Sequence, residues 1–204
     1  DAHLMINEPV KHVHDYIDAG SDIITVHAEV CDESSFGEIC DMLNSNQVGI
    51  GLAINPDTEL PQWCYKFVEL LDQVIIMSVV PGKSGQKFIE STHEKTRRIA
   101  KDLREHKFEG YIEVDGGVNL ENIGACFEDG ARAFVGGSAI IGQNDVRMII
   151  KEFRNQVLES RRRLLIKKAH DLGGTELVNS WIDLHVIGEK KDKLVQIAKE
   201  LGFQ

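Results

Sequence analysis

Short runs of β-branched and apolar residues alternate with longer segments of helical period along most of this chain, and few folds other than a parallel sheet with crossover helices accept that alternation. The predicted strands occupy 2–6, 23–28, 48–54, 74–79, 111–114 and 133–136, and the predicted helices 9–19, 34–43, 60–71, 89–105 and 120–128. Boundary chemistry supports the helices. Gly20 and Gly130 stand just past helix ends, where a left-handed residue costs least as glycine, and Ser34 and Asn119 suit N-caps. The joints Asp18-Ala19-Gly20-Ser21-Asp22 and Glu128-Asp129-Gly130-Ala131-Arg132 resemble each other, as the ends of a repeated βα module would. The expected fold is an α/β (β/α)8 TIM barrel, incomplete. Six βα units are counted where closure takes eight, so a further segment is expected in front of Asp1.

Beyond Ile141 the pattern turns helical, over 144–166, 175–187 and 190–201, with breaks at Gly173-Gly174 and Gly188. The expected layout is a barrel portion over 1–166 and a C-terminal helical extension over 167–204. Leu177, Trp181 and Leu184 recur at i, i+4 and i+7, an apolar stripe that must dock on something, on the barrel or at a subunit contact; a homo-oligomer is expected, although no residue of the sequence decides it. The basic run Arg161-Arg162-Arg163 with Lys167-Lys168 reads as a solvated helix face.

Charge excludes several function classes. A formal net charge of −10 over 204 residues provides no basic field for nucleic acid or an anionic membrane surface. No apolar run reaches the roughly 18 residues of a membrane span. Cys31, Cys40, Cys64 and Cys126 are scattered, without a C-x-x-C pair, as in reduced packing thiols of a cytoplasmic protein. An anionic substrate would have to be held by local dipoles and a metal.

The candidate chemistry sits at strand ends. Glu113-Val114-Asp115-Gly116-Gly117-Val118-Asn119 ends a strand in a carboxylate followed by two glycines, and the C-terminal strand ends of a βα barrel form its active face. Val80-Pro81-Gly82-Lys83-Ser84-Gly85-Gln86 and Val135-Gly136-Gly137-Ser138 follow two other strands, and glycine loops of this kind offer backbone N–H groups to a phosphate. Lys83 suits a point charge on that phosphate or a mobile surface lysine. His3 and Met5 share a strand face by the period-two rule. His3 and Asp115 would then project into one barrel mouth, an imidazole and carboxylate pair suited to zinc, manganese or iron. His27 ends a strand and is expected in the core or behind the site. His12 and His14 read as surface residues, and His93, His106, His170 and His185 have no evident partner.

Four segments stand in the order and spacing of one family. Asp1-Ala2-His3-Leu4-Met5-Ile6, Val80 to Ile89, Glu113 to Asn119 and Gly136-Gly137-Ser138-Ala139-Ile140 together resemble the ribulose-phosphate 3-epimerases, over roughly 1–141. The resemblance implies that His3 is a metal ligand and that Asp115 is both a metal ligand and a general acid/base. It also implies that Gly82, Lys83, Ser84, Gly85, Gly116, Gly117, Gly137 and Ser138 hold the phosphate and that Met5 and Met77 line the reacting centre. This chain departs from the family at Lys83-Ser84, where Phe-Gly is usual, and it lacks the family's first two strands with their Ser, His and second acid/base Asp.

The implied reaction interconverts D-ribulose 5-phosphate and D-xylulose 5-phosphate, with a divalent metal assisting proton abstraction and return. Inversion takes two acid/base groups on opposite faces of the carbon. Asp115 is one, so the 204-residue chain by itself is expected to be inactive. The alternatives are a hexulose-phosphate epimerase, such as one for allulose 6-phosphate, and a non-catalytic phosphosugar-binding protein.

Overall fold

A computed structural model of the chain describes residues 1–83 and 85–171. Six strands form one sheet in sequential order: β1 (Ala2–Leu4), β2 (Ile23–His27), β3 (Gly49–Ile54), β4 (Gln73–Met77), β5 (Tyr111–Asp115) and β6 (Ala133–Val135). Every neighbouring pair is parallel, the arrangement that βα repeats produce because the crossover connection returns each strand in the same direction. All six predicted strands form, each within two residues of its expected bounds.

Side chains alternate across the sheet. Leu4, Ile24, Val26, Ile50, Leu52, Ile54, Val74, Ile76, Ile112 and Val114 point outward and are buried with Phe36, Ile39 and Leu43 of α2 (Glu33–Ser45) and Ile99 and Leu103 of α3 (Ser91–Glu105). This is the main core. The opposite face carries His3, Thr25, His27, Gln73, Glu113 and Asp115, with a separate small apolar cluster of Ala53, Ile75, Met77 and Val79.

Polar groups are tolerated on that inner face because they find partners. Gln73 donates from Nε2 to Thr25 Oγ1 at 2.5 Å and to Asp1 Oδ2 at 2.9 Å, and accepts from the Tyr111 hydroxyl at 2.6 Å. The layer is also full, since a Cβ on Gly51 would lie 2.0 Å from Thr25 Oγ1.

Several helix boundaries differ from the expectation, each for a local reason. The N-cap of α2 is Asp32, not Ser34. Asp32 Oδ1 accepts from Ser35 N–H at 2.8 Å while Ser35 Oγ accepts from Asp32 N–H at 2.9 Å, a capping box that satisfies two orphan donors. The segment predicted as a helix over 60–71 forms two short 3-10 pieces, Gln62–Lys66 and Val68–Leu70. Its run of Trp63, Cys64, Tyr65, Phe67 and Val68 has little helix propensity, and Trp63 and Phe67 instead sit against Phe36 with ring centroids 5.2 and 5.3 Å away.

The segment 9–19 divides into a 3-10 turn, Pro9–Lys11, and α1 (Val13–Asp18). Helix α4 (Ile123–Asp129) begins three residues later than expected. Asn119 caps the preceding turn, its Oδ1 accepting from the N–H groups of Glu121 and Asn122. Gly20 and Gly130 follow their helices with φ of 86° and 121°. After β6 come α5 (Ser138–Ile141) and α6 (Val146–Asp171).

The chain divides after Val157 into two units. The first, Asp1–Val157, contains the whole sheet. Of the second, the described residues are those of α6 up to Asp171, where Arg161, Arg162, Arg163, Lys167 and Lys168 are exposed. The segments predicted helical over 175–187 and 190–201, with the stripe Leu177, Trp181 and Leu184, lie outside the described residues. Among the described residues no helix is long and apolar enough to cross a membrane.

Candidate active site

Asp115 is the last residue of β5, so its carboxylate leaves the sheet at the C-terminal rim. His3 lies on β1, four strands away in the sheet order. In a flat sheet those strands would stand about 19 Å apart. Instead His3 Nδ1 is 3.4 Å from Asp115 Oδ2, so the sheet curls until the two inner-face side chains meet. That separation has chemical content, because two ligands each about 2.1 Å from a tetrahedral zinc stand about 3.4 Å apart. The donor types, one imidazole nitrogen and one carboxylate oxygen, suit a borderline divalent metal. They supply two coordination positions, since among the described residues no group of three or more His, Cys, Asp or Glu side chains is placed to hold an ion.

Behind His3 stands His27, the last residue of β2. Its Nε2 is 2.8 Å from His3 Nε2, and its Nδ1 is 3.2 Å from Glu29 Oε2. Glu29 Oε1 accepts from the Asn55 N–H at 2.6 Å. Burial by itself would raise the Glu29 pKa, but hydrogen bonds from His27, the Asn55 N–H and Thr58 outweigh it and hold the carboxyl down at about 2. Glu113, one inner-face position before Asp115, behaves in the opposite way. Burial first, and the Asp115 charge second, push its carboxyl up to about 7.

A cavity of about 400 Å³ opens at the same rim, with Asp115 in its wall. Met77 and Met5 line it too, Met77 buried and Met5 exposed. The loop after β4 contributes Gly82, Lys83, Gly85 and Gln86. This loop is tied to itself, since Gln86 Nε2 donates to the carbonyls of Val80 at 2.6 Å and Lys83 at 2.8 Å. Gly116 and Gly117 form the corner after β5, and Gly137 and Ser138 enter from the turn after β6. Ser84 lies outside the described residues.

Gly116 and Gly117 require glycine twice over. Their φ values are 120° and 62°, and a Cβ on Gly117 would lie 2.5 Å from the backbone nitrogen of Phe88. Around Gly137 and Gly85, by contrast, a Cβ would meet nothing within 4 Å, so backbone faces open space there. Buried Ser78 joins the two strand ends, its Oγ donating to the carbonyls of Asp115 at 3.0 Å and Gly116 at 2.5 Å. Among the described residues lining the cavity, Lys83 is the one cation and Asp115 the one carboxylate.

Sequence reasoning missed the Ser78 tie, the Gln86 loop closure and the His27–Glu29 contact. The last had only a local signal, because Glu29 stands two residues after His27, in the 3-10 turn Ala28–Val30 that follows β2. His93, without an evident partner in the sequence, has its Nδ1 2.5 Å from Asp129, which also meets Arg97 at 2.5 Å. His106 stacks on Tyr65, and His14 lies at the surface, 3.3 Å from Asp18. The four cysteines are free. Burial pushes the Cys31 thiol up to about 11 and those of Cys40, Cys64 and Cys126 up to about 12, which favours the protonated thiol.

A curled parallel sheet with its functional side chains at the C-terminal rim defines the βα-barrel enzymes. The chain belongs to the ribulose-phosphate 3 epimerase family, whose family model matches residues 1–141. It is 38% identical over 157 residues to the ribulose-phosphate 3-epimerase of Escherichia coli K12, a match that covers 77% of this chain and 68% of that protein. It is 39% identical over 155 residues to the enzyme of that name from Bacillus subtilis, covering 76% of this chain and 70% of that protein. Among solved structures, 3-keto-L-gulonate-6-phosphate decarboxylase from Vibrio cholerae shares the fold at a TM-score of 0.55 and 16% identity, covering 77% of this chain and 71% of that one. A 3-hexulose-6-phosphate synthase does so at 0.53 and 20%, covering 72% and 67%.

Proposed function

We propose that this chain carries the phosphate-binding rim and one acid/base group of a ribulose-phosphate 3-epimerase that interconverts D-ribulose 5-phosphate and D-xylulose 5-phosphate. The observation that carries the reading is the 3.4 Å approach of His3 and Asp115 beside a glycine-walled cavity. Asp115 removes or returns the proton on the carbon next to the ketone, from the face it occupies. Backbone N–H groups at Gly82, Gly85, Gly116, Gly117, Gly137 and Ser138 hold the phosphate at the cavity wall, with Lys83 adding a point charge. Met5 and Met77 give the reacting carbon an apolar surround that excludes water. His3 and Asp115 would contribute ligands to a divalent metal, zinc, iron or manganese, which when bound would supply positive charge for the oxygens on which negative charge develops.

Asp115 is the one carboxylate among the described residues that line the cavity, and inversion needs a second acid/base on the opposite face. The 204-residue chain by itself is therefore expected not to turn over, although it binds the sugar phosphate. The test uses two polypeptides, this chain and one that adds the third of the E. coli relative's length it does not match. Epimerisation of D-ribulose 5-phosphate by the second, and its loss in Asp115→Asn, is the expected result. Phosphosugar binding without turnover in both polypeptides would point to a non-catalytic binding protein.

A further inference from the structure

We propose that His27 and Glu29 are positioning residues that set the tautomer of His3, keeping a proton on its Nε2 and leaving Nδ1 bare towards Asp115. This rests on the reading of His3 and Asp115 as ligands of a divalent cation. Proton counting along the relay supports it. Three positions can carry a proton: His3 Nδ1, the contact between the two Nε2 atoms, and His27 Nδ1. The 2.8 Å Nε2 contact must hold one, because two lone pairs would repel at that distance. Two neutral rings carry two protons, so the second sits at one end of the relay.

Glu29 decides which end. Its Oε1 already accepts from the Asn55 N–H, and its Oε2 stands 3.2 Å from His27 Nδ1. An ionised carboxylate is acceptor-only, so it calls for a proton on His27 Nδ1. His27 Nε2 is then a lone pair, His3 Nε2–H donates to it, and His3 Nδ1 is left as a lone pair 3.4 Å from Asp115 Oδ2. That is the form in which an imidazole binds a metal. Asp115 competes for the same proton from the far end, over the longer contact.

The relay is anchored from outside the barrel. Buried Lys95 on α3 donates to the carbonyls of Asn55, Pro56 at 3.3 Å and Thr58 at 2.5 Å. It thereby fixes the loop whose N–H holds Glu29.

The test is nuclear magnetic resonance of the chain labelled with 15N-histidine, at a pH where both rings are neutral. Two-bond proton–nitrogen correlations then report each tautomer. The parent is expected to show His3 Nε2–H and His27 Nδ1–H. In Glu29→Gln the amide oxygen stays on the Asn55 N–H and the amide NH2 faces His27 Nδ1, so both tautomers should reverse. Glu29→Asp retains a carboxylate and should retain the parent pattern. An Nδ1–H tautomer of His3 in the parent, or the same His3 tautomer in parent and Glu29→Gln, overturns the proposal.

Zinc titration against a chelating dye provides the second readout. Glu29→Gln should weaken zinc by about 10- to 100-fold and Glu29→Asp by less, and equal affinity in all three also overturns the proposal. If zinc affinity is absent in the parent, or unchanged in His3→Gln and Asp115→Asn, the cation reading fails instead, while the tautomer result judges the relay on its own.

Discussion

The two faces of the one sheet follow different rules. Outward, β1 to β5 present Leu, Ile or Val to the helices and β6 presents Phe134, and one apolar residue substitutes for another of similar volume at modest cost. Inward, beside a small apolar cluster, polar side chains meet particular partners: Thr25 with Gln73, Gln73 with Tyr111, His3 with both His27 and Asp115. Hydrophobic burial is non-directional and tolerates approximation, whereas a buried polar group is costly unless its hydrogen bond is made. The outer face therefore carries stability, and the inner face carries the candidate site.

The largest expected effect breaks the inner face alone. Asp115→Asn should lower kcat of the length-completed polypeptide by about 10²- to 10⁴-fold, the usual contribution of a general acid/base, with the urea midpoint nearly unchanged. Unaltered turnover would remove Asp115 from the mechanism. The converse variant acts on the outer core. Phe36→Ala empties a fully buried site between α2 and the aromatic 3-10 segment and should cost about 3–5 kcal/mol in chemical denaturation.

Gly117→Ala, at the corner between the two faces, combines a left-handed φ, which costs about 1–2 kcal/mol for a side chain, with a Cβ against the Phe88 backbone. It should weaken phosphosugar binding in calorimetry as well as stability.

Smaller effects sharpen the contrast through pH. The folded-state pKa of Glu113 is raised to about 7 from a reference of 4.5. Its contribution is complete below the reference value and is lost as pH rises through about 7. Urea midpoints of the parent should fall between pH 5 and pH 8 by more than those of Glu113→Gln; parallel profiles would refute the raised value. Glu29 has the opposite sign. Held at about 2, it stabilises above its reference value, and that stability is lost as pH falls through about 2, so Glu29→Gln should flatten the acid limb. The smallest change expected is in Lys83→Ala of the length-completed polypeptide, loss of a single exposed point charge, which should raise KM severalfold and leave kcat nearly unchanged.

Alternation of period determined the strand set, and glycine chemistry determined the corners, because both are local properties of the chain. Gly20 and Gly130 adopt the left-handed backbone that their places just past helix ends call for, and Gly116 and Gly117 adopt positive φ as well. Local propensity failed where packing overrode it, at 60–71, whose aromatic residues serve Phe36 instead of a helical period, and at the α2 cap, where Asp32 and Ser35 satisfy two donors and Ser34 alone would satisfy one.

The candidate site divides along the same line. That His3, Asp115 and the glycine loops belong to one rim follows from strand parity and order. That His3 and Asp115 stand 3.4 Å apart, with His27 and Glu29 behind them, follows from the curl of a sheet whose first and fifth strands are not neighbours. Curvature arises from twist summed over all six strands and from the side chains that fill the interior, and no single segment encodes it.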